Sequence, residues 1–231
     1  METSAAVLPD VTALLNRYPQ LQRLTPAHVA DVSGAFAALA PDYFLSALGT
    51  SYLARTFWTV FCESSECFGF VWIDERRAAG FAAGSIERDR FTRRVVAKAP
   101  LAFVLRSIRA ACTRPQFVRQ ALGLLRTLAS ERSRGGPDSE LISLGVLPRS
   151  LRPVSGPGGA SLSPAHVLIA AAAAHLRERG RSEFRLYTGA SNRLACAFYR
   201  RLGFRETRRF RLFGEEKVCF VAATDDPRLS A

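Results

Sequence analysis

The segment 191–204, SNRLACAFYRRLGF, holds one tyrosine where a short helix would deliver it to a fixed place. Ser191 or Asn192 can cap the helix N-terminus, and Gly203 supplies a left-handed stop. Leu194, Ala195, Phe198 and Leu202 recur at helical spacing as the expected buried stripe. Tyr199 rides on that helix. The remaining reactive side chains are less organised. His28 and His175 fall on expected helices among alanines, as surface or half-buried groups. His166 sits in the first turn of another helix, either beside a phosphate or in a structural role. Cys62, Cys67, Cys112, Cys196 and Cys219 are odd in number, and the four residues between Cys62 and Cys67 exceed a C-x-x-C spacing. No metal site is implied. Gly156-Pro157-Gly158-Gly159 reads as a flexible turn and is weak evidence for phosphate binding by itself.

The elements that would position these groups can be read in order. A leading helix over 6–18 precedes a brief strand at 21–24. Thr25-Pro26 starts a helix running to about residue 40, with Thr as N-cap and Pro in the first turn. Pro41-Asp42 begins an apolar helix pair over 43–48 and 52–62, punctuated by Gly49. Strand compositions at 68–73 and 78–86 flank a polar turn and predict a β-hairpin. The block 87–134 has helical periodicity in two pieces separated by Thr113-Arg114-Pro115. A strand at 141–147 ends at Pro148, and a Pro/Ser/Gly-rich loop over 148–163 follows. Ser163-Pro164 starts a helix to about residue 179, stopped by Gly180. Then come strand 183–188, helix 192–202, and strands near 205–213 and 217–222 turned at Gly214-Glu215. Helices alternating with strands before a closing hairpin indicate a mixed α/β sheet. The expectation is one domain over 1–231, with an N-terminal helical extension at 1–20 and a basic helical insertion at 87–137.

The 231 residues are 48% hydrophobic and 23% charged, ordinary values for a globular chain able to bury a full core. The net charge of +12 is not ordinary, and it raises the local concentration of anions such as CoA or nucleotides. Lysine occurs only at Lys98 and Lys217, so the charge is nearly all arginine. Most cysteines sit in apolar runs, which points to a reducing, cytoplasmic setting. The N-terminus lacks the basic region of a secretory signal, and the apolar run near 167–174 is too short to span a bilayer. A soluble protein without membrane partners is expected.

The turn at Asn192 with the following Phe198-Tyr199-x-x-Leu202-Gly203-Phe204, and the order of elements from Leu21 to Val221, resemble the GNAT N-acyltransferase superfamily. The resemblance implies an α/β fold: a central mixed, mostly antiparallel sheet flanked by helices. It also implies acetyl-CoA or another acyl-CoA as cosubstrate, a small-molecule amine acceptor, direct transfer and no metal. The run 139–148 is similar to the family's central strand, whose splay from the next strand admits the pantetheine arm. Gly145 and Val146 would then lie against the cosubstrate, the backbone near Val146 polarising the thioester carbonyl. Glu140 matches the position of the base and Tyr199 that of the acid that protonates the thiolate. The competing readings are a solvated strand end for Glu140 and a packed aromatic for Tyr199. Asn192 is a helix cap or a CoA-side contact, and the two are compatible.

The phosphate loop departs from the family pattern. Ser163-Pro164-Ala165 stands where Gly-x-Gly is expected, and Pro164 lacks an N–H donor. Either Ser163, Ala165, His166 and Val167 still form an anion nest, helped by Arg149 and Arg152, or CoA binding is weakened or lost. Twelve basic residues against three acidic ones give 87–134 a charge of +9. This block resembles insertions that cap the acceptor side, where it would suit an anionic acceptor such as a nucleotide-sugar. A second copy of the chain is a further candidate partner. Two alternatives stay open: a GNAT-fold binding or regulatory protein without catalysis, and a protein that uses the insertion on nucleic acid. The insertion carries no recognised nucleic-acid module and argues against the latter.

Overall fold

The computed structural model describes residues 8–41, 43, 45–88, 90, 91, 94, 136–212 and 215–231. Most of the expected basic insertion, with Cys112, lies outside the described residues, as do Gly214 and the start of the expected helix at 6–18. Helix α1 (Val11–Arg17) precedes the short strand β1 (Leu21–Arg23). Helix α2 (Val29–Leu39) follows, then α3 (Thr50–Tyr52), which runs through π-helical Leu53–Trp58 into α4 (Thr59–Glu63). The strands β2 (Cys67–Asp74), β3 (Arg77–Ser85) and β4 (Glu140–Val146) come next. A small hairpin, β5 (Val154–Ser155) with β6 (Ser161–Leu162), leads to α5 (Pro164–Glu178) and β7 (Glu183–Gly189). The chain closes with α6 (Arg193–Arg201), β8 (Arg205–Leu212) and β9 (Glu215–Ala223).

Seven strands form one sheet in the order β1-β2-β3-β4-β7-β9-β8. Every pair is antiparallel except β4 with β7. Strand β3 is alanine- and glycine-rich and buried along almost its whole length, so helices can approach closely on both faces. On one face, the alanine run of α5 joins Phe68, Phe70, Phe184, Leu186 and Phe220 in a first core that includes Cys196, Tyr199 and Leu202 of α6. On the other, Phe36 of α2 and the aromatic cluster Phe57, Trp58 and Phe61 pack on β2 and β3 in a second core. This second core draws no member from β7, β8 or β9. Burial is the main stabilising contribution, at about 25 cal/mol per Å² of apolar surface.

Two expectations need correction. Among its described residues the expected helix at 43–48 is not regular: Tyr43 and Leu45 lie in a bend and a turn before the short 3-10 segment Ser46–Leu48. Pro41 disfavours helical geometry at Ala40 (φ −136°, ψ 61°), and Gly49 takes φ +88°, so the segment is broken at both ends. In α6 the buried face is Cys196, Tyr199 and Leu202, whereas Leu194 is 86% exposed. Of the stripe marked by helical spacing, Leu202 is buried and Ala195 and Phe198 pack half-buried against the first core, while Leu194 alone turns to solvent. No helix of the described residues is long and apolar enough to cross a membrane.

His175 was expected at or near the surface; α5 instead buries it against Phe68, with ring centroids 5.1 Å apart. Neither ring nitrogen has a hydrogen-bond partner. Burial, reinforced by Arg179 and Arg23 and opposed by Glu178, lowers its pKa from 6.5 to about 4. The unfolded chain therefore takes up a proton first as pH falls, and stability is lost between about pH 6.5 and pH 4. Allowing for solvent screening, the loss is about 2 kcal/mol. Urea unfolding at pH 7 and pH 4.5 should show wild type losing that much more than His175→Leu; equal losses would refute it.

Candidate active site

Strand β4 pairs with β3 through Ser85↔Glu140 to Gly80↔Val146, yet meets β7 only at Glu140↔Arg185 and Leu141↔Leu186. The register slips between Ala83↔Ser143 and Gly84↔Leu141, which leaves Ile142 as an extra residue on β4. A bulge of this kind bends its strand and sharpens the local twist. From Ile142 to Val146, β4 has no β7 partner, while β7 pairs with β9 along its whole length. The sheet thus opens into a cleft whose β4 wall is strand backbone without a neighbouring strand. An extended chain bearing amides can pair with such a wall.

Gly145 and Val146 lie on this wall. A Cβ at Gly145 would stand 2.7 Å from Leu39 and 2.8 Å from Phe81, so packing against α2 already requires the glycine. Val146 packs on the first core.

The N-terminus of α5 is where a phosphate would be sought. Ser163 caps it: its Oγ accepts from His166 N at 3.2 Å, and its carbonyl accepts from Val167 N at 3.2 Å. Pro164 has no N–H, so Ala165 carries the first-turn N–H that is not already engaged. The His166 side chain turns inward, its Nε2 buried without a partner, and burial holds its pKa below the usual histidine range. Arg149 and Arg152 are exposed on the segment that follows β4. The loop that sequence alone left as a flexible turn is the β5–β6 hairpin, closed by Gly158 and Gly159 at φ +63° and +79°.

Asn192 is the cap of α6, its Oδ1 accepting from Ala195 N at 3.1 Å, and Gly203 ends the helix at φ +86°. The helix brings Tyr199 onto Phe204 and Phe220, each with ring centroids 5.6 Å away. Tyr199 is 7% exposed; burial, aided by Cys196, pushes its phenol well above the usual tyrosine value. It stays protonated.

Glu140 and Tyr199 occupy opposite faces of the sheet. Leu141 belongs to the first core with Tyr199, so its neighbour Glu140 points to the other face. There Glu140 is buried rather than a solvated strand end, and its Oε2 meets Arg88 Nε at 3.1 Å and Arg185 Nε at 3.3 Å. Arg88 and Arg185 also lie over the Tyr187 ring, at 5.6 and 5.8 Å. Arg208 Nη2 donates to the Tyr187 hydroxyl at 3.3 Å. Oε2 of Glu140 thus accepts from two guanidiniums and helps to hold them in place. Arg88, Arg185, Tyr187 and Arg208 escaped the sequence reading. Its available signal was the alternation Glu183-Phe184-Arg185-Leu186-Tyr187, polar on one face and apolar on the other.

A seven-stranded mixed sheet flanked by helices, parting at its one parallel strand pair, is a fold shared with solved GNAT-family acetyltransferases. Three solved structures share it. SsHAT is 20% identical, with 88% of this chain and 97% of that chain covered and a TM-score of 0.56. A GNAT-family protein from Desulfovibrio desulfuricans is 11% identical, with coverage of 88% and 98% and a TM-score of 0.51. Arabidopsis thaliana NAA60, solved in complex with acetyl-CoA, is 14% identical, with coverage of 88% and 97% and a TM-score of 0.51. No protein-family model matches the chain, and no curated protein matches it in sequence.

Proposed function

We propose that the protein is an N-acyltransferase that moves an acetyl or other short acyl group from acyl-CoA to the amine of a small molecule. The parting of β4 from β7 after Leu141 carries this reading, because it offers strand backbone to the amides of a pantetheine arm. The likeness to NAA60, solved with acetyl-CoA, supports the same cosubstrate. Acyl-CoA supplies an activated carbonyl and a thiolate leaving group. The β4 backbone near Val146 orients the thioester and donates to its carbonyl oxygen. The amine, once it has lost its ammonium proton, forms the new C–N bond as the C–S bond breaks. Tyr199 donates its phenolic proton to the departing sulfur and regains one from the amide nitrogen through solvent. Glu140 fixes Arg88 and Arg185 at the closed end of the cleft, and the ammonium proton passes to water.

The α5 N-terminus favours a second reading, a GNAT-fold binding protein without turnover, since Pro164 and the Ser163 cap leave few donors for a pyrophosphate. Calorimetry with acetyl-CoA and an assay of thiol release across primary amines separate the two. The first reading expects saturable binding and turnover; binding without turnover supports the second, and no binding defeats both. Pro164→Ala restores an N–H at the first helical position and should lower the acetyl-CoA Kd several-fold. An unchanged or higher Kd would mean the pyrophosphate does not rest on this helix.

A further inference from the structure

Strands β2 and β3 are joined by the tight turn Asp74-Glu75-Arg76-Arg77, whose central residues take φ +48° and +65°. A register shift between Trp72 and Ile73 bends the end of β2, and Ile73 N donates to Gln20 O at 2.8 Å. Asp74 thus occupies a fixed point at this end of the sheet. Arg76 and Arg77 lie in the same turn, yet Asp74 forms no ion pair among the described residues. Its Oδ2 instead accepts from Ser150 Oγ at 2.5 Å. Ser150 is only 4% exposed and belongs to the 3-10 turn Pro148–Ser150 that follows β4. Leu147 N donates to Ala79 O at 2.8 Å and Ser150 N to Leu147 O at 2.9 Å, so β3 holds the same turn.

We propose that Asp74 is a positioning residue for the phosphates of acyl-CoA: through Ser150 it fixes a turn whose Arg149 and Arg152 hold them. The proposal rests on the acyl-CoA binding of the acyltransfer reading. It also says how that binding survives at an α5 N-terminus short of donors. Pro164 and the Ser163 cap leave Ala165 with the first-turn N–H not already engaged. Guanidiniums can supply donors in their place, because their planar forks match phosphate oxygens. Arg149 and Arg152 flank Ser150, are exposed, and form no ion pair among the described residues.

The β5–β6 hairpin returns the chain toward α5 by setting Val154 opposite Leu162. Arg152 comes two residues before Val154 and Ser163 one residue after Leu162, so their Cα atoms lie within about 16 Å. An extended arginine and a diphosphate together bridge such a gap. Charge gives the role a distinctive sign. Asp74 is itself an anion, so on Coulomb grounds alone its removal would tighten a phosphate ligand. Loss of a positioning contact loosens it instead.

Asp74→Ala and Ser150→Ala should each raise the acetyl-CoA Kd about tenfold in calorimetry. Asp74→Asn keeps an acceptor for Ser150 and should stay within about twofold of wild type. In the double variant Arg149→Gln with Arg152→Gln, adding Asp74→Ala should change the Kd by less than about twofold, because the groups it positions are gone. An Asp74→Ala Kd equal to or below that of wild type overturns the proposal. So does a tenfold effect that persists in the double variant, which would mark general damage to the cleft. If wild type binds no acetyl-CoA, the acyltransfer reading fails, and calorimetry with inorganic pyrophosphate tests the arginines separately. Saturable pyrophosphate binding that the arginine double variant and Asp74→Ala each weaken about tenfold sustains the positioning role. No binding, or equal binding in Asp74→Ala, removes it.

Discussion

Glu140→Gln is expected to lower the unfolding free energy by about 3 kcal/mol, through the two arginines it leaves behind. Glu140, Arg88 and Arg185 have side chains only 9%, 18% and 10% exposed, so water cannot replace the lost counter-charge. Breaking one side of a buried ion pair usually costs about 3–5 kcal/mol, and the partial exposure of Arg88 places this case at the low end. The double substitution Glu140→Gln with Arg185→Met removes a stranded cation and should recover part of that loss, giving a non-additive cycle in urea unfolding. The same variant tests the chemistry. If Glu140 positions the arginines, pH–rate profiles of the folded variant keep the wild-type rise with pH, which follows the acceptor ammonium. A variant with wild-type stability and a lost pH-dependent limb would instead make Glu140 the base.

Tyr199→Phe should reduce kcat about 10²-fold while leaving the acetyl-CoA Kd within about twofold. The low end of general-acid effects applies because a thiolate is already a fair leaving group, its conjugate acid having a pKa of about 8.5. Phe preserves the ring contacts with Phe204 and Phe220, so stability should change by less than about 1 kcal/mol. The raised pKa keeps the phenol protonated, so wild type and variant should differ in the height of the pH–rate profile and share its shape below about pH 9. Thiol-release kinetics supply the measurement. Unchanged turnover would leave Tyr199 as a packed aromatic of the first core.

The elements whose signals are local were legible. Asn192, Gly203, Ser163-Pro164 and Gly180 mark helix ends through their own backbone and side-chain preferences, and the structure puts helix ends at each. The alternation in 183–188 and the small residues of 78–86 likewise announced strands at β7 and β3. The break at 43–48 was also local, written in Pro41 and Gly49, but the apolar composition between them outweighed it in the reading. Which stripe of α6 faces inward could not be read that way, because Leu194 and Tyr199 are both compatible with a helix and only the sheet beneath decides between them.

By itself, then, the sequence determined where the chain turns, which segments become strand or helix, and that a tyrosine would ride on the helix after β7. Tertiary structure alone decided the chemistry around them. Glu140 meets Arg185 across 45 positions of sequence and Arg88 from the chain just after β3, and the bulge at Ile142 depends on the register of β3 on β4. Periodicity reports which way a side chain leaves its own backbone; what it meets depends on strand order and layer packing, which no local pattern encodes. For that reason Glu140 read as a base or a solvated strand end in the sequence and meets two guanidiniums in the fold.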